Sequence, residues 1–208
     1  MLGDVAFVPI EVLLVTLIIH RVLSVREKRA VLDKLNMVVG SFFSEAGNEL
    51  LRFLRSFDTE DHQGDDLLRV RSNWDEKEFK KAVARVESYA CSIDSKKGEL
   101  SELREFLVRQ RAFLLRLLEN PVLLEHESFT DLLWAVFHLA DELAHRDASL
   151  QLTAPDYAHL SGDIKRVYVR LIGQWLHYLQ HLRKRYPYLF SLALRLNPFD
   201  PQASVQVR

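Results

Sequence analysis

The sequence predicts an all-α protein, with a long N-terminal helix leading into a bundle of about five helices. Three observations carry this. Punctuation is sparse, with seven glycines and six prolines in 208 residues. The common residues Leu, Arg, Glu and Ala favour helix. Apolar positions recur at spacings of three and four rather than alternating, and no stretch reads as a strand.

Pro9 suits the first turn of a helix, where its missing N–H has no partner to lose. No second proline follows before Phe57, so one long helix, or two in line, is expected over this stretch. Its second half carries Val31, Leu35, Val38, Phe42, Ala46, Leu50, Phe53 and Phe57 along one stripe. Gly40 and Gly47 are the places where it would bend or admit a neighbouring helix closely. The acidic stretch 58–73 lacks an apolar period and reads as a loop. Asn73 is the expected cap for a helix beginning "WDEKEF", whose acids complement the helix dipole.

A break around Gly98 precedes "LSELREFLVRQRAFLLRLLEN", which Pro121 ends because the residue before proline avoids the α region. Thr130 or Ser128 is expected to cap "DLLWAVFHLADELAHR". Thr153 and Asp156 have the spacing of a capping box for a helix over 155–185. Pro187 stops that helix, and a short one follows, which Tyr186, Tyr188 and Phe190 are expected to pack onto the bundle. The resulting division is 1–24 hydrophobic helix, 25–57 amphipathic continuation, 58–73 loop, 74–197 bundle and 198–208 tail.

Composition narrows the function classes. Hydrophobic residues make up 48% and charged residues 27%, which fits a folded chain. The net charge is −1, with bases and acids interleaved, so nucleic acid is not an expected partner. Cys91 is the sole cysteine, which excludes an intrachain disulfide and any C-x-x-C metal or redox motif.

The first 24 residues are the most distinctive. Val5 to Ile19 is nearly all apolar, with Glu11 inside it, and lacks the broad polar face that surface binding requires. Arg21, Arg26, Lys28 and Arg29 follow, so the positive-inside rule places the body of the protein in the cytosol. A single-pass anchor in the inner (cytoplasmic) membrane is the expectation. The alternative is a cytoplasmic protein whose first helix is buried or lies in an oligomer interface. In a bilayer Glu11 would cost about 2.5 to 3.5 kcal/mol, which favours self-association through it.

Eight histidines raise the question of a metal. His138, Glu142 and His145 share one helix face, and His177 and His181 form a second i, i+4 pair, so two helices could offer nitrogen ligands to one ion. These five are the candidate ligands. The apolar stripe Leu132, Val136, Ala140 and Leu143 leaves His138 and His145 on the other side, as solvated histidines would be. No Gly-rich phosphate loop, G-x-S-x-G or H-E-x-x-H occurs, and no catalytic residue, organic cofactor or small-molecule substrate is assigned.

The stretches "EVLLVTLIIHRVLSVREKR", "LDKLNMVVGSFFSEAGNELL" and "YPYLFSLALRLNPF" resemble uncharacterised bacterial helical proteins with an N-terminal hydrophobic helix. That resemblance implies no activity. The functional expectation is a membrane-anchored helical scaffold with a protein partner or self-association. A metal-binding helical enzyme and a soluble regulatory bundle are the alternatives.

Overall fold

The computed structural model describes residues 2–59, 68–87, 91–146, 152–200 and 202–206. The described elements are helical apart from an isolated antiparallel bridge between Asp58 and Ile93. Helix α1 (Leu2–Phe42) runs through one π-helical turn (Phe43–Gly47) into α2 (Asn48–Arg55), so the predicted long helix is present. At about 1.5 Å per residue, α1 alone is about 60 Å long.

Only its C-terminal third belongs to the bundle. Leu35, Val39, Phe42 and Phe43 are buried, whereas every described side chain before Val31 is exposed, including Leu13, Leu17, Ile18 and Val22. Arg21 and Arg26 are exposed too, while Glu11, Lys28 and Arg29 lie outside the residues whose side chains are described. Among the described residues, no helix is long and apolar enough to cross a membrane.

Of the two glycines predicted to matter in this rod, Gly47 does. A Cβ on Gly47 would meet the rings of Phe43 and Phe42 at 2.7 and 2.8 Å, so the turn closes over those rings only because the side chain is missing. A Cβ on Gly40 would lie 3.6 Å from the Tyr178 ring of α6 (Ala154–Arg185), an ordinary van der Waals contact, so this position does not require glycine.

Helix α3 (Glu76–Glu87) begins three residues after the predicted cap, Asn73. Asp75, not Asn73, accepts from the backbone N–H groups of Lys77 and Glu78, and Glu78 accepts in return from the Asp75 N–H. Burial of Trp74 against Phe79 settles the choice, because it turns the chain so that the following residue sits over the open helix end. Helix α4 (Leu100–Leu118) stops before Pro121 as predicted, and a 3₁₀ turn (Pro121–Glu125) leads to α5 (Glu127–Ala144). The cap of α5 is His126, whose Nδ1 accepts from the Phe129 N–H. Neither predicted cap serves: Thr130 donates to the Leu123 carbonyl, and Ser128 lies inside the first turn.

At the start of α6 the capping box is complete. Thr153 Oγ1 accepts from the Asp156 N–H at 3.4 Å, and Asp156 accepts from the Thr153 N–H at 3.0 Å. Hydrogen bonds from Thr153 hold the Asp156 carboxyl below the usual carboxylate range. The box is therefore intact above the unfolded carboxyl's titration and opens as the pH falls through the lowered value. Thr153→Ala is expected to cost about 1 kcal/mol of stability, read as a lower urea midpoint at unchanged slope. An unchanged midpoint would show that α6 does not depend on its cap.

Helix α6 is the central element, packing against α1, α2, α3, α5 and α7 (Pro187–Arg195). Its apolar stripe, Leu160, Ile164, Val167, Leu171, Trp175, Leu179 and Leu182, is buried. Beyond α7 the chain stays packed: Phe199 lies edge-on to Trp175 at 5.2 Å, and the Asn197 side chain donates to the Leu68 carbonyl. Of the three aromatics expected to pack α7, only Phe190 is buried, while Tyr186 and Tyr188 are exposed. Pro187 breaks the chain so that the rings flanking it point outward.

Candidate metal centre

Helices α5 and α6 run antiparallel in close contact, and each places an i, i+4 pair of potential ligands on the facing surfaces: His138 and Glu142 from α5, His159 and Asp163 from α6. Their opposed register sets His138 against Asp163 and Glu142 against His159. Asp163 Oδ2 lies 3.2 Å from His159 Nε2 and 3.4 Å from His138 Nε2. The two imidazole rings stand nearly perpendicular, 83° apart, with centroids separated by 6.4 Å.

Asp163 is the unusual member. Its side chain is 3% exposed, and Arg166 Nη1 donates to Oδ1 at 2.5 Å. Oδ2 faces the two imidazoles and receives no hydrogen bond. A buried carboxylate oxygen left without a donor is costly, so something else is expected to satisfy it. A divalent cation fits the donor set. At tetrahedral angles, metal bonds of about 2.0 to 2.2 Å to imidazole nitrogen and carboxylate oxygen put neighbouring ligand atoms about 3.3 to 3.6 Å apart, close to the 3.2 and 3.4 Å between Asp163 Oδ2 and the two imidazoles. Among the described residues, His138, His159 and Asp163 are the three whose ligand atoms lie within 4.8 Å of one another.

The arrangement sits at the boundary of the bundle. The His138 and His159 side chains are 48% and 52% exposed, so an ion would rest on a buried carboxylate and reach solvent between the rings. Two nitrogens and hard oxygens select zinc, iron, manganese or cobalt over calcium, and over the soft copper(I) ion. Arg166, bonded to the distal oxygen of Asp163, would fix that carboxylate's orientation from outside the coordination shell.

Of the five predicted ligands, His138 enters this cluster, Glu142 borders it at 3.9 Å from His138 and 3.5 Å from His159, and the other three lie elsewhere. His145 caps the end of α5 on the exposed surface, with Nδ1 2.8 Å from the Asp141 carbonyl. His177 and His181 border a separate cleft of about 530 Å³ with His126 and Glu76. Burial lowers the His181 pKa, the charge of Asp33 opposing that shift. Residues 31–195 match a family model described as "Uncharacterized protein MJ1433, C-terminal helical domain", and residues 1–23 match "MJ1433, N-terminal helical domain".

The chain belongs to the MJ1433 family. It is similar to "Uncharacterized protein MJ1433" of Methanocaldococcus jannaschii, with 52% identity over 200 residues that span 96% of this chain and 80% of the relative. No solved structure matches. The helical family expected from the sequence is therefore present, but this relative is archaeal, not bacterial. The first model's span begins where α1 enters the bundle at Val31, and the second covers the projecting end of the helix.

Sequence reasoning missed His159 and Asp163. A signal existed: His138-x-x-x-Glu142 and His159-x-x-x-Asp163 are matching pairs on consecutive helices joined by a short connection. Antiparallel packing brings such pairs face to face. Arginines at 146 and 166 repeat the match, each close behind its acid.

Proposed function

We propose that this family member is a metal-binding helical bundle, holding one divalent transition-metal ion between α5 and α6. The observation that carries the reading is the buried Asp163 Oδ2, which lacks a donor and lies within 3.4 Å of both imidazoles. The test is elemental analysis and Co²⁺ titration of purified, chelator-treated protein. One equivalent per chain is expected, with a rise in unfolding temperature on loading because the ion binds the folded state. A folded sample that takes up neither Co²⁺ nor Zn²⁺ at micromolar concentration overturns it.

A second reading concerns the projecting half of α1. Leu13, Leu17, Ile18, Ile19, Val22 and Leu23 are all at least half exposed, an apolar surface that water does not favour. This supports a membrane-directed helix that carries the bundle on the cytosolic side as a scaffold. Release of the full chain from membranes by carbonate would count against it.

A further inference from the structure

Resting on the metal reading, we infer that Glu142 is the fourth ligand, positioned by Arg146, and that the ion is a closed two-histidine, two-carboxylate staple between α5 and α6. Glu142 Oε1 lies 3.9 Å from His138 Nε2, and Oε2 lies 3.5 Å from His159 Nε2. The carboxylate therefore stands across the two imidazoles from the opposite helix to Asp163. Glu142 stands outside the 4.8 Å grouping of the other three ligands, so ligation requires its carboxylate to swing inward as the ion binds.

The two halves of the site are built alike. In α6 the order is His159, Asp163, Arg166, and the arginine occupies one carboxylate oxygen while the other faces the imidazoles. Along α5 and just past its end the order is His138, Glu142, Arg146, and the Arg146 guanidinium bonds Oε2 and leaves Oε1 toward His138. Arg146 is itself fixed. Its Nη1 donates to the Glu142 carbonyl at 2.7 Å, and its other terminal nitrogen lies 3.9 Å from Asp156 in the capping box of α6. Each arginine then has the same task, to hold a carboxylate with one oxygen committed and one offered.

Charge agrees with this geometry. Two carboxylates offset a divalent ion, and the two arginines offset the carboxylates when the ion is absent. His159 faces Glu142 across the helix boundary, while His138 and Arg146 flank it in sequence.

The experiment is Co²⁺ titration of the full chain and of Glu142→Gln, Glu142→Asp, Arg146→Met and Arg146→Lys, with affinity and visible spectrum read together. The wild type is expected to give the intense absorption of four-coordinate cobalt. Glu142→Gln should lose about tenfold to a hundredfold in affinity and give the weak spectrum of a centre with added water. Glu142→Asp, one methylene shorter, should fall the same way. Arg146→Met should lose about tenfold with the four-coordinate spectrum kept, as expected for a group outside the shell, and Arg146→Lys should regain part of the loss. Wild-type affinity and spectrum in both Glu142 variants would overturn the fourth-ligand assignment while leaving the metal reading intact. A folded wild type that binds no Co²⁺ would remove the metal reading itself.

Discussion

Asp163→Asn is expected to lower metal affinity at least about a hundredfold while leaving the apo protein folded. Loss of a group outside a coordination shell already costs 10-fold to 100-fold, and Asp163 supplies the one buried anionic oxygen of the cluster. The fold should tolerate the change. The amide keeps an oxygen for Arg166, and its NH₂ can donate to an imidazole nitrogen where the carboxylate had no donor. His138→Ala and His159→Ala should match it in affinity loss, whereas His145→Ala and His177→Ala should bind as the wild type does. Isothermal titration with Zn²⁺ gives both comparisons. If Asp163→Asn binds with unchanged affinity, the cluster is an ion-pair network and the ion lies elsewhere.

Phe42→Ala is expected to destabilise the protein by about 3 to 5 kcal/mol. Phe42 is wholly buried and makes edge-on contacts with Phe43 at 5.2 Å and Phe129 at 5.3 Å, joining the end of α1 to α5. Its ring also packs against Gly47, so truncation opens a void that the rigid turn is poorly able to close. For a chain of this size the shift in Tm is roughly 6 to 20 °C. A loss under about 1.5 kcal/mol in urea unfolding would mean that the inner end of α1 is an appendage. The same variant should leave metal affinity unchanged, since the ring contacts of Phe42 are to Phe43 and Phe129 and not to His138, Glu142, His159 or Asp163.

Most of the architecture was legible because it rests on local rules. The three-and-four spacing of α6, the stops at Pro121 and Pro187, and the Thr153–Asp156 box are decided within a few residues. The caps of α3 and α5 were misplaced because several polar residues competed, and the winner depends on how Trp74 and Phe129 enter the core. For the site, periodicity found the α5 half, His138 and Glu142, but not its counterpart. His145 and His177 looked equivalent to His138 in sequence, and only the register of α5 against α6 separates them. Asp163 was invisible as a ligand because its burial, its arginine and its bare oxygen are all products of packing.

The π turn at Phe43–Gly47 has a consequence for phase. Such a turn is equivalent to one residue inserted into an α-helix, which rotates all that follows by about 100° relative to a continuous helix. Counted without that insertion, Leu50, Leu51 and Leu54 drift about a quarter-turn from the stripe set by Leu35, Val39 and Phe42; with it, they return. All six are buried. The turn thus acts as a phase correction between two rods whose apolar faces were written out of step. Removing one residue there would turn the face of α2 away from α6 without altering a single core side chain.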